Sequence, residues 1–508
     1  MIVLLTPLPD WVWLVPGLLL LAVIVIGARA MLGRASGDAA EPLTARLAAL
    51  AALGGLLLLL FIDLLALLRG VPGHRVLAVW FASGSWRGTF SFLLDGLSLS
   101  LSTLTALIGW LVIRFSANYL HREAGFHRFF MVLCFFLAGM QLVLPAGNCL
   151  LAFVGWEMCG VASFLLIGYA WHRPVATGNA LYVFVTNRGG DAGFLLALGF
   201  AAAWIGTFEW PQVVAGSQID TSSARLVALG FVVAALAKSA QLPFSPWLSR
   251  ALEGPTPSSA IFYGAVMVHA GVYLLLRLEP LLAPLPDVTA GLIAIGFLTA
   301  IYAWLCGLVQ SDVKSALIFA TLFQVALMFV EIGLGWTTLA TVHLCLHAAW
   351  RAWQFLLAPS WLAITRQRPP PPPAWLRRNQ LLYTIAMQRF WLDQLAVALI
   401  VQPTEAFARD VRGLEENFID RAIGQAGQGH PIHPERPLIT ADGLPGKLLA
   451  ATSDAFQQIE NRLLLRGRGG NAERLLQRAG TYLQTLEHLL EQPRYLMMAV
   501  MATFVVIL

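Results

Sequence analysis

Residues 226–248 read LVALGFVVAALAKSAQLPFSPWL, which places Lys238 about three helical turns into an otherwise apolar run. A charge at that depth in hydrocarbon costs ~3 kcal/mol on insertion scales and more in simulation, so it is rarely kept without a task. Five residues later Pro243 removes a backbone donor and predicts a helix break. Broken helices at membrane depth are tolerated only against protein or a water-filled cavity. A buried lysine beside a break therefore reads as a station on an ion path.

The rest of the chain agrees with a membrane setting. Of its 508 residues 58% are hydrophobic and 12% charged, about half the charge of a typical soluble chain. The net charge of +5 does not point to nucleic acid, because the arginines lie in short loops and the tail. Cys134, Cys149, Cys159, Cys306 and Cys345 stand singly in apolar segments and read as small core residues. The first apolar run lacks a small-residue cleavage site and is expected to be a retained helix.

Apolar segments long enough to cross a ~30 Å core fall near 11–33, 44–69, 93–117, 128–146, 148–170, 179–206, 223–243, 256–282, 288–309, 313–332 and 336–364. The expected fold is an all-α polytopic membrane protein of about twelve spans, some broken. Residues 1–92 form N-terminal membrane helices and 93–364 the core. A Pro-rich linker follows at 365–380, an amphipathic lateral or cytoplasmic helical region at 381–493, and a membrane anchor at 494–508. Leu381–Val401 carries Gln388, Arg389, Asp393 and Gln394 in its middle and suits a helix lying at the surface. Arginine placement puts the N-terminus outside.

Several polar residues lie inside these spans. Glu157 is in the fifth, and a lone carboxyl in lipid stays protonated unless a cation lies nearby. Arg188 and Asp191, three apart in the sixth, share a helix face and can satisfy each other. His269 follows in the eighth, where a hydrogen-bonded core histidine is the commoner case. Asp312 and Lys314 begin the tenth, where capping or anchoring is the plain alternative. His343, His347 and Arg351 lie on one face of the eleventh, and the guanidinium argues against a metal there. Acid, lysines and histidines spread over five helices are a proton-relay composition, since buried lysine and histidine both give up protons readily. No motif for nucleophilic catalysis, phosphate cradling or cofactor binding is present, so the chain is not expected to be an enzyme.

FSFLLDGLSLSLSTLTALIG (90–109), LLAFVGWEMCGVASFLLIGY (150–169), TNRGGD (186–191), AKSAQLPFSPWL (237–248), EGPTPSSA (253–260), LVQSDVKSALIFAT (308–321) and HLCLHAAWRA (343–352) resemble the antiporter-like proton-channel family. That family includes the large L-type subunit of respiratory complex I and Mrp antiporter subunits. The resemblance implies that Glu157 pairs with Lys238, and that Lys314, His343 and His347 continue a polar axis. Three departures stand out. Tyr263 replaces a histidine of the family string, Arg351 stands where lysine is usual, and about four spans expected after the eleventh give way to the linker. With its SSAIFYGAVMVHAGVYLLLRLEP string (258–280), the chain looks most like the membrane subunit of DAB inorganic-carbon accumulation systems (DabB). That implies coupling of proton flow to CO2/bicarbonate accumulation by a large cytoplasmic β-carbonic-anhydrase-like partner (DabA-type), which would hold the zinc while this chain holds no cofactor. The expected proton path is Glu157, Lys238, His269, Lys314, His343 and His347, with Arg188, Asp191, Asp312 and Arg351 as supporting charges. The alternative is a proton-pumping L-type subunit of a complex I-like or hydrogenase-linked oxidoreductase.

Overall fold

The computed structural model describes residues 8–35, 37–84, 86–216, 219–364 and 371–414. The helical stretches expected at 452–466 and 473–490, the irregular 424–437 and the anchor at 494–508 lie outside these residues. The first compact unit ends at Ile400 and the second begins at Val401.

The first unit contains α1 (Leu14–Met31), α2 (Glu41–Arg69), β1 (Gly73–Ser83), β2 (Trp86–Leu94), α3 (Gly96–Tyr119), α4 (Phe126–Val143), α5 (Cys149–Ile167), α6 (Pro174–Phe200), α7 (Trp210–Ala215), α8 (Thr221–Lys238) and α9 (Trp247–Arg250). It continues with α10 (Thr256–Ser259), α11 (Ala270–Arg277), α12 (Glu279–Leu282), α13 (Pro286–Gly307), α14 (Val313–Gly333), α15 (Thr337–Ile364), α16 (Ala374–Arg378), α17 (Gln380–Met387) and α18 (Leu392–Ala396). Of the second unit, α19 (Gln402–Leu414) is described. Helix starts are set by short acceptors: Asp95, Asn148, Asp220 and Asp312 each take backbone N–H groups of the first turn. Asp95 and Ser98 complete a reciprocal capping box on α3.

This is a multi-pass membrane protein. Among the described residues eight helices are long and apolar enough to cross a bilayer. Of the eleven expected segments, the three missing from those eight are α6, the stretch from α10 to α11, and α15. They carry Arg188 and Asp191, His269, and the His343/His347/Arg351 face; polar residues dilute the hydropathy of α6 and α15, while the stretch from α10 to α11 is not one continuous helix. Burial ranks the helices: 83% of the apolar window of α4 is inside the protein against 33% for α2, so α4 is central and α2 turns to lipid.

Four expectations need correction. The segment expected to run from 223 to 243 stops at Lys238, before Pro243 is reached. Ala240 takes a left-handed backbone (φ 54°), which ends a right-handed helix by itself. The eighth segment is interrupted between α10 and α11, with a π-helical stretch at Ala260–Ala265 and no regular helix until Ala270. Leu381–Val401 is not one helix, because Arg389, Phe390 and Trp391 are all left-handed and split it between α17 and α18. The linker, whose proline run predicts a stiff spacer, is helical at Ala374–Arg378, and Leu376 is buried against Leu305 and Val309.

The fold is also not purely α. β1 and β2 form an antiparallel hairpin with irregularities at Val76/Ala78 and Val79/Phe81. Their β-branched and aromatic residues favour strands, and Gly84 at φ 60° makes the turn. Glu209, at the start of α7, fastens the hairpin base: it accepts from Thr89 Oγ1 (2.5 Å) and Ser91 Oγ (2.7 Å) and lies 2.8 Å from His74 Nε2.

Small residues let the central helices approach. A Cβ at Gly155 would lie 2.5 Å from the Gly139 carbonyl oxygen, and one at Gly193 2.7 Å from that of Gly230. Without a hydrophobic drive inside lipid, such backbone contact is what holds helices together. Gly193→Val and Gly155→Val are therefore expected to lower the melting temperature of the detergent-solubilised protein by several degrees. Gly199→Val, where no atom lies within 4 Å of a new Cβ, should leave it within about a degree; equal melting of all three would contradict backbone contact as the packing device.

Candidate functional site: a buried charge cluster and a histidine pair

α5, α6 and α8 bring together two carboxylates and two cations. Arg188 forms an ion pair with Glu157 and lies 2.7 Å from Asp191 Oδ2. Asp191 Oδ1 also accepts from the Trp156 indole at 2.6 Å. Lys238 is 1% exposed; its ammonium donates to the Trp156 carbonyl at 3.2 Å and lies 4.7 Å above the same indole ring. Formal charges sum to zero, the condition under which a buried cluster is tolerated. Gly160 supplies the room: a Cβ there would lie 2.5 Å from Arg188 Nη2 and 3.8 Å from Lys238 Nζ.

The expected direct contact between Glu157 and Lys238 is therefore intercepted. Arg188, three residues before Asp191 on α6, reaches both acids, and Lys238 folds onto Trp156. Lys238 ends α8, so its own carbonyl and those just before it lack helical partners. Trp247 uses one of them, donating its indole N–H to Ala237 O at 2.8 Å.

The two interrupted helices meet beside this cluster. Ser239 Oγ donates to Val268 O at 2.7 Å, and Gly271 packs directly on Ala235 and Ser239. At the break stands the buried His269, whose Nε2 is 2.9 Å from His347 Nδ1. Arg351 Nε donates to His347 Nε2 at 3.2 Å, and Arg351 Nη1 donates to Gln354 at 2.7 Å. A guanidinium does not give up its proton, so the lone pair of His347 Nε2 is committed to Arg351. His347 then carries its proton on Nδ1 and donates it to His269 Nε2, and His269 keeps its own on Nδ1.

The remaining predicted residues stand apart. His343 sits between Glu331 on α14 (Nδ1 to Oε1, 2.9 Å) and Gln324 (2.9 Å). Its ring is 6.1 Å from that of His347. Lys314 donates to Thr256 Oγ1 at 2.7 Å, and Thr256 in turn meets the Tyr119 hydroxyl at 2.9 Å. It does not fall between His269 and the α15 histidines, as the sequence order suggested. Asp312 caps α14 through the Ser315 N–H. Tyr263, in place of the family histidine, donates to Leu248 O at 2.9 Å and packs on Phe355. Glu331, Gln324, Trp156 and Thr256 were missed, although Glu331 is an acid in an apolar segment and that signal was available.

Two family models match the chain. One, described as NADH:quinone oxidoreductase/Mrp antiporter, TM, covers residues 146–368. The other, NADH-Ubiquinone oxidoreductase (complex I), chain 5 N-terminus, covers residues 80–130. NADH-ubiquinone oxidoreductase chain 5 of Pseudosoriculus fumidus is 35% identical over 281 residues, 55% of this chain and 46% of the relative. The Halichoerus grypus protein of that name is 36% identical over 282 residues, with the same coverage. The chain thus spans about half the length of the curated relatives it matches. A chain of the Mrp complex from Dietzia sp. DQ12-45-1b has the same fold, with a TM-score of 0.58 over 99% of this chain and 62% of that one at 20% identity. Residues 80–130 and 146–368 thus match the antiporter-like models shared by complex I chain 5 and Mrp subunits.

Replacing Arg188 by Gln leaves Glu157 and Asp191 facing each other. With the Arg188 side chain 31% exposed, the expected loss lies at the lower end of the ~3–5 kcal/mol for a broken buried pair, read as a lower denaturation midpoint. An unchanged midpoint would show that the two acids are satisfied without it.

At the end of α11, Arg277 forms a second buried ion pair with Asp95. Burial works against ionising Asp95, but the hydrogen bonds from Arg277 and Ser98 outweigh it and hold its carboxyl below the usual range. A depressed carboxylate stabilises the fold above its unfolded value and loses that contribution as the pH falls through the folded value. Asp95→Asn should therefore lower the melting temperature equally at pH 7 and pH 5, the gap closing only below the ordinary carboxylate range of ~4. A gap that closes by pH 5 would contradict the ion pair.

Proposed function

We propose that this chain is a proton-conducting membrane subunit of a multisubunit energy-coupling complex of the complex I or Mrp type, and not itself an enzyme. The observation that carries the reading is the zero-sum cluster of Glu157, Arg188, Asp191 and Lys238, set beside two interrupted helices and a hydrogen-bonded histidine pair. Structural ion pairs need no helix breaks, and breaks at this depth need a partner or a cavity.

The donor set favours protons over metal cations. Alkali ions need a shell of oxygen ligands, whereas guanidinium, ammonium and imidazole N–H groups face inward here. Glu157 is held by Arg188, and Lys238 Nζ approaches the same Gly160 as the Arg188 guanidinium. A proton that neutralises Glu157 leaves Arg188 to Asp191 alone and Lys238 without a counter-ion nearby, so the lysine becomes the group that yields a proton. Each charge moved across the membrane is worth ~2.3 kcal/mol per 100 mV, enough for one or a few protons to bias a partner's conformation.

In this reading residues 93–364 are the conducting core, 365–380 a linker, 381–493 a lateral region and 494–508 an anchor, with the N-terminus outside. A second reading, coupling to inorganic-carbon accumulation by a zinc-bearing partner, draws on the 258–280 string. Its Tyr263 is tied to Leu248 O, while His269 meets His347. Subunit and metal content of the native complex separates the two: a large zinc protein favours carbon accumulation, quinone- or Fe–S-bearing subunits the oxidoreductase.

Lys238→Ala in the intact complex, reconstituted in liposomes, is expected to abolish uncoupler-sensitive proton movement while assembly is retained. Wild-type flux in that variant would remove Lys238 from the path.

A further inference from the structure

His269, Tyr273 and Arg277 follow one another every four residues at the start of α11 and along it, and so share one face. The stripe begins at the histidine pair and ends at Asp95, which is 32% exposed on its side chain. The Tyr273 hydroxyl donates to Leu144 O and accepts from Arg277 Nη2 at 3.2 Å. Between the first two members lies a cavity of about 10 Å³, bordered by His269, Tyr273, Leu144 and Thr105 of α3. One water molecule requires ~10–15 Å³ and two to four polar partners.

His269 is 3% exposed, and its Nδ1 is buried without a hydrogen-bond partner among the described residues. The Arg351–His347–His269 sequence of donors places a proton on that nitrogen. His269 borders the cavity and His347 does not, so the cavity lies away from the edge on which the two rings meet. A buried N–H left unmade costs ~1–3 kcal/mol, and the cavity is where an acceptor fits.

We propose that this cavity binds a water molecule that accepts the His269 Nδ1 proton, with Thr105 and Tyr273 as its positioning residues. The site opens the histidine pair toward the Asp95 end of the bundle. The transfer balances as follows. Arg351 Nε moves off His347 Nε2 and one proton arrives there. His347 passes its Nδ1 proton to His269 Nε2, and His269 releases its Nδ1 proton to the water. One proton enters and one leaves, and both rings finish neutral with their remaining proton on Nε2. Arg351 is the gate of this step, because no proton can reach His347 Nε2 while the guanidinium donates to it. Arg277 keeps its proton throughout and holds the Tyr273 hydroxyl in place.

Water binding stands on geometry alone, and its part in transport rests on the proton-conducting reading above. The test uses the whole complex in nanodiscs, with radiolytic hydroxyl-radical labelling in 18O-water read at Tyr273 and Met140, which are 2% and 1% exposed. Both should label far faster than Trp247, which is fully buried away from the cavity. In Thr105→Val, nearly equal in volume, labelling should fall about fivefold and proton flux about a hundredfold, the lower end of a lost proton-transfer partner. Labelling at the Trp247 level in the wild type overturns the water site. Full flux in Thr105→Val combined with Tyr273→Phe overturns the relay role. Rapid labelling in a wild-type complex that carries no proton flux supports the water site and counts against the proton-conducting reading instead.

Discussion

Arg188 holds Glu157 and Asp191 at once, and the middle of the protein is arranged around that double contact. Two carboxylates inside a bilayer would repel each other or be forced to protonate; one guanidinium between them leaves a single negative charge, and Lys238 balances it. Gly160 leaves the space for both cations, and Trp156 serves the cluster twice, donating its indole to Asp191 and giving its carbonyl to Lys238. Changes to the small or aromatic residues here act on electrostatics through geometry.

The second constraint is backbone. α8 stops at Lys238, and the chain from α10 to α11 is interrupted just where it passes α8. Each break leaves peptide groups that need partners in a medium without water. Ser239 with Val268, Gln241 N–H with Leu236 O, and Leu242 N–H with the Thr299 hydroxyl supply them. The turn at 266–269, beyond the π-helical stretch, carries His269 against His347. Electrostatic cluster and histidine pair are thus neighbours because two irregular segments satisfy one another.

Much of this was legible along the chain. Span positions follow from hydropathy to within a few residues. Asp312 was open to a capping role from its place before the tenth segment, and Arg188 with Asp191 share a face by spacing alone. The hairpin at 73–94 was not legible, because an exposed Val- and aromatic-rich loop between two spans carries no alternation of its own. Nor was the end of α8 at Lys238, set by the left-handed Ala240 and not by the proline that follows.

The sequence by itself determined that this is a multi-pass membrane protein of the antiporter-like kind with acids, lysines and histidines buried across several helices. Those conclusions rest on hydropathy, local spacing and motif strings, which are properties of the chain. Only the tertiary structure decided who pairs with whom: Glu157 with Arg188 and not Lys238, His269 with His347 and not Lys314, His343 with Glu331. Pairing depends on which helix faces meet and how closely glycines let them approach. That is fixed by packing in three dimensions, where residues tens of positions apart compete for the same partner.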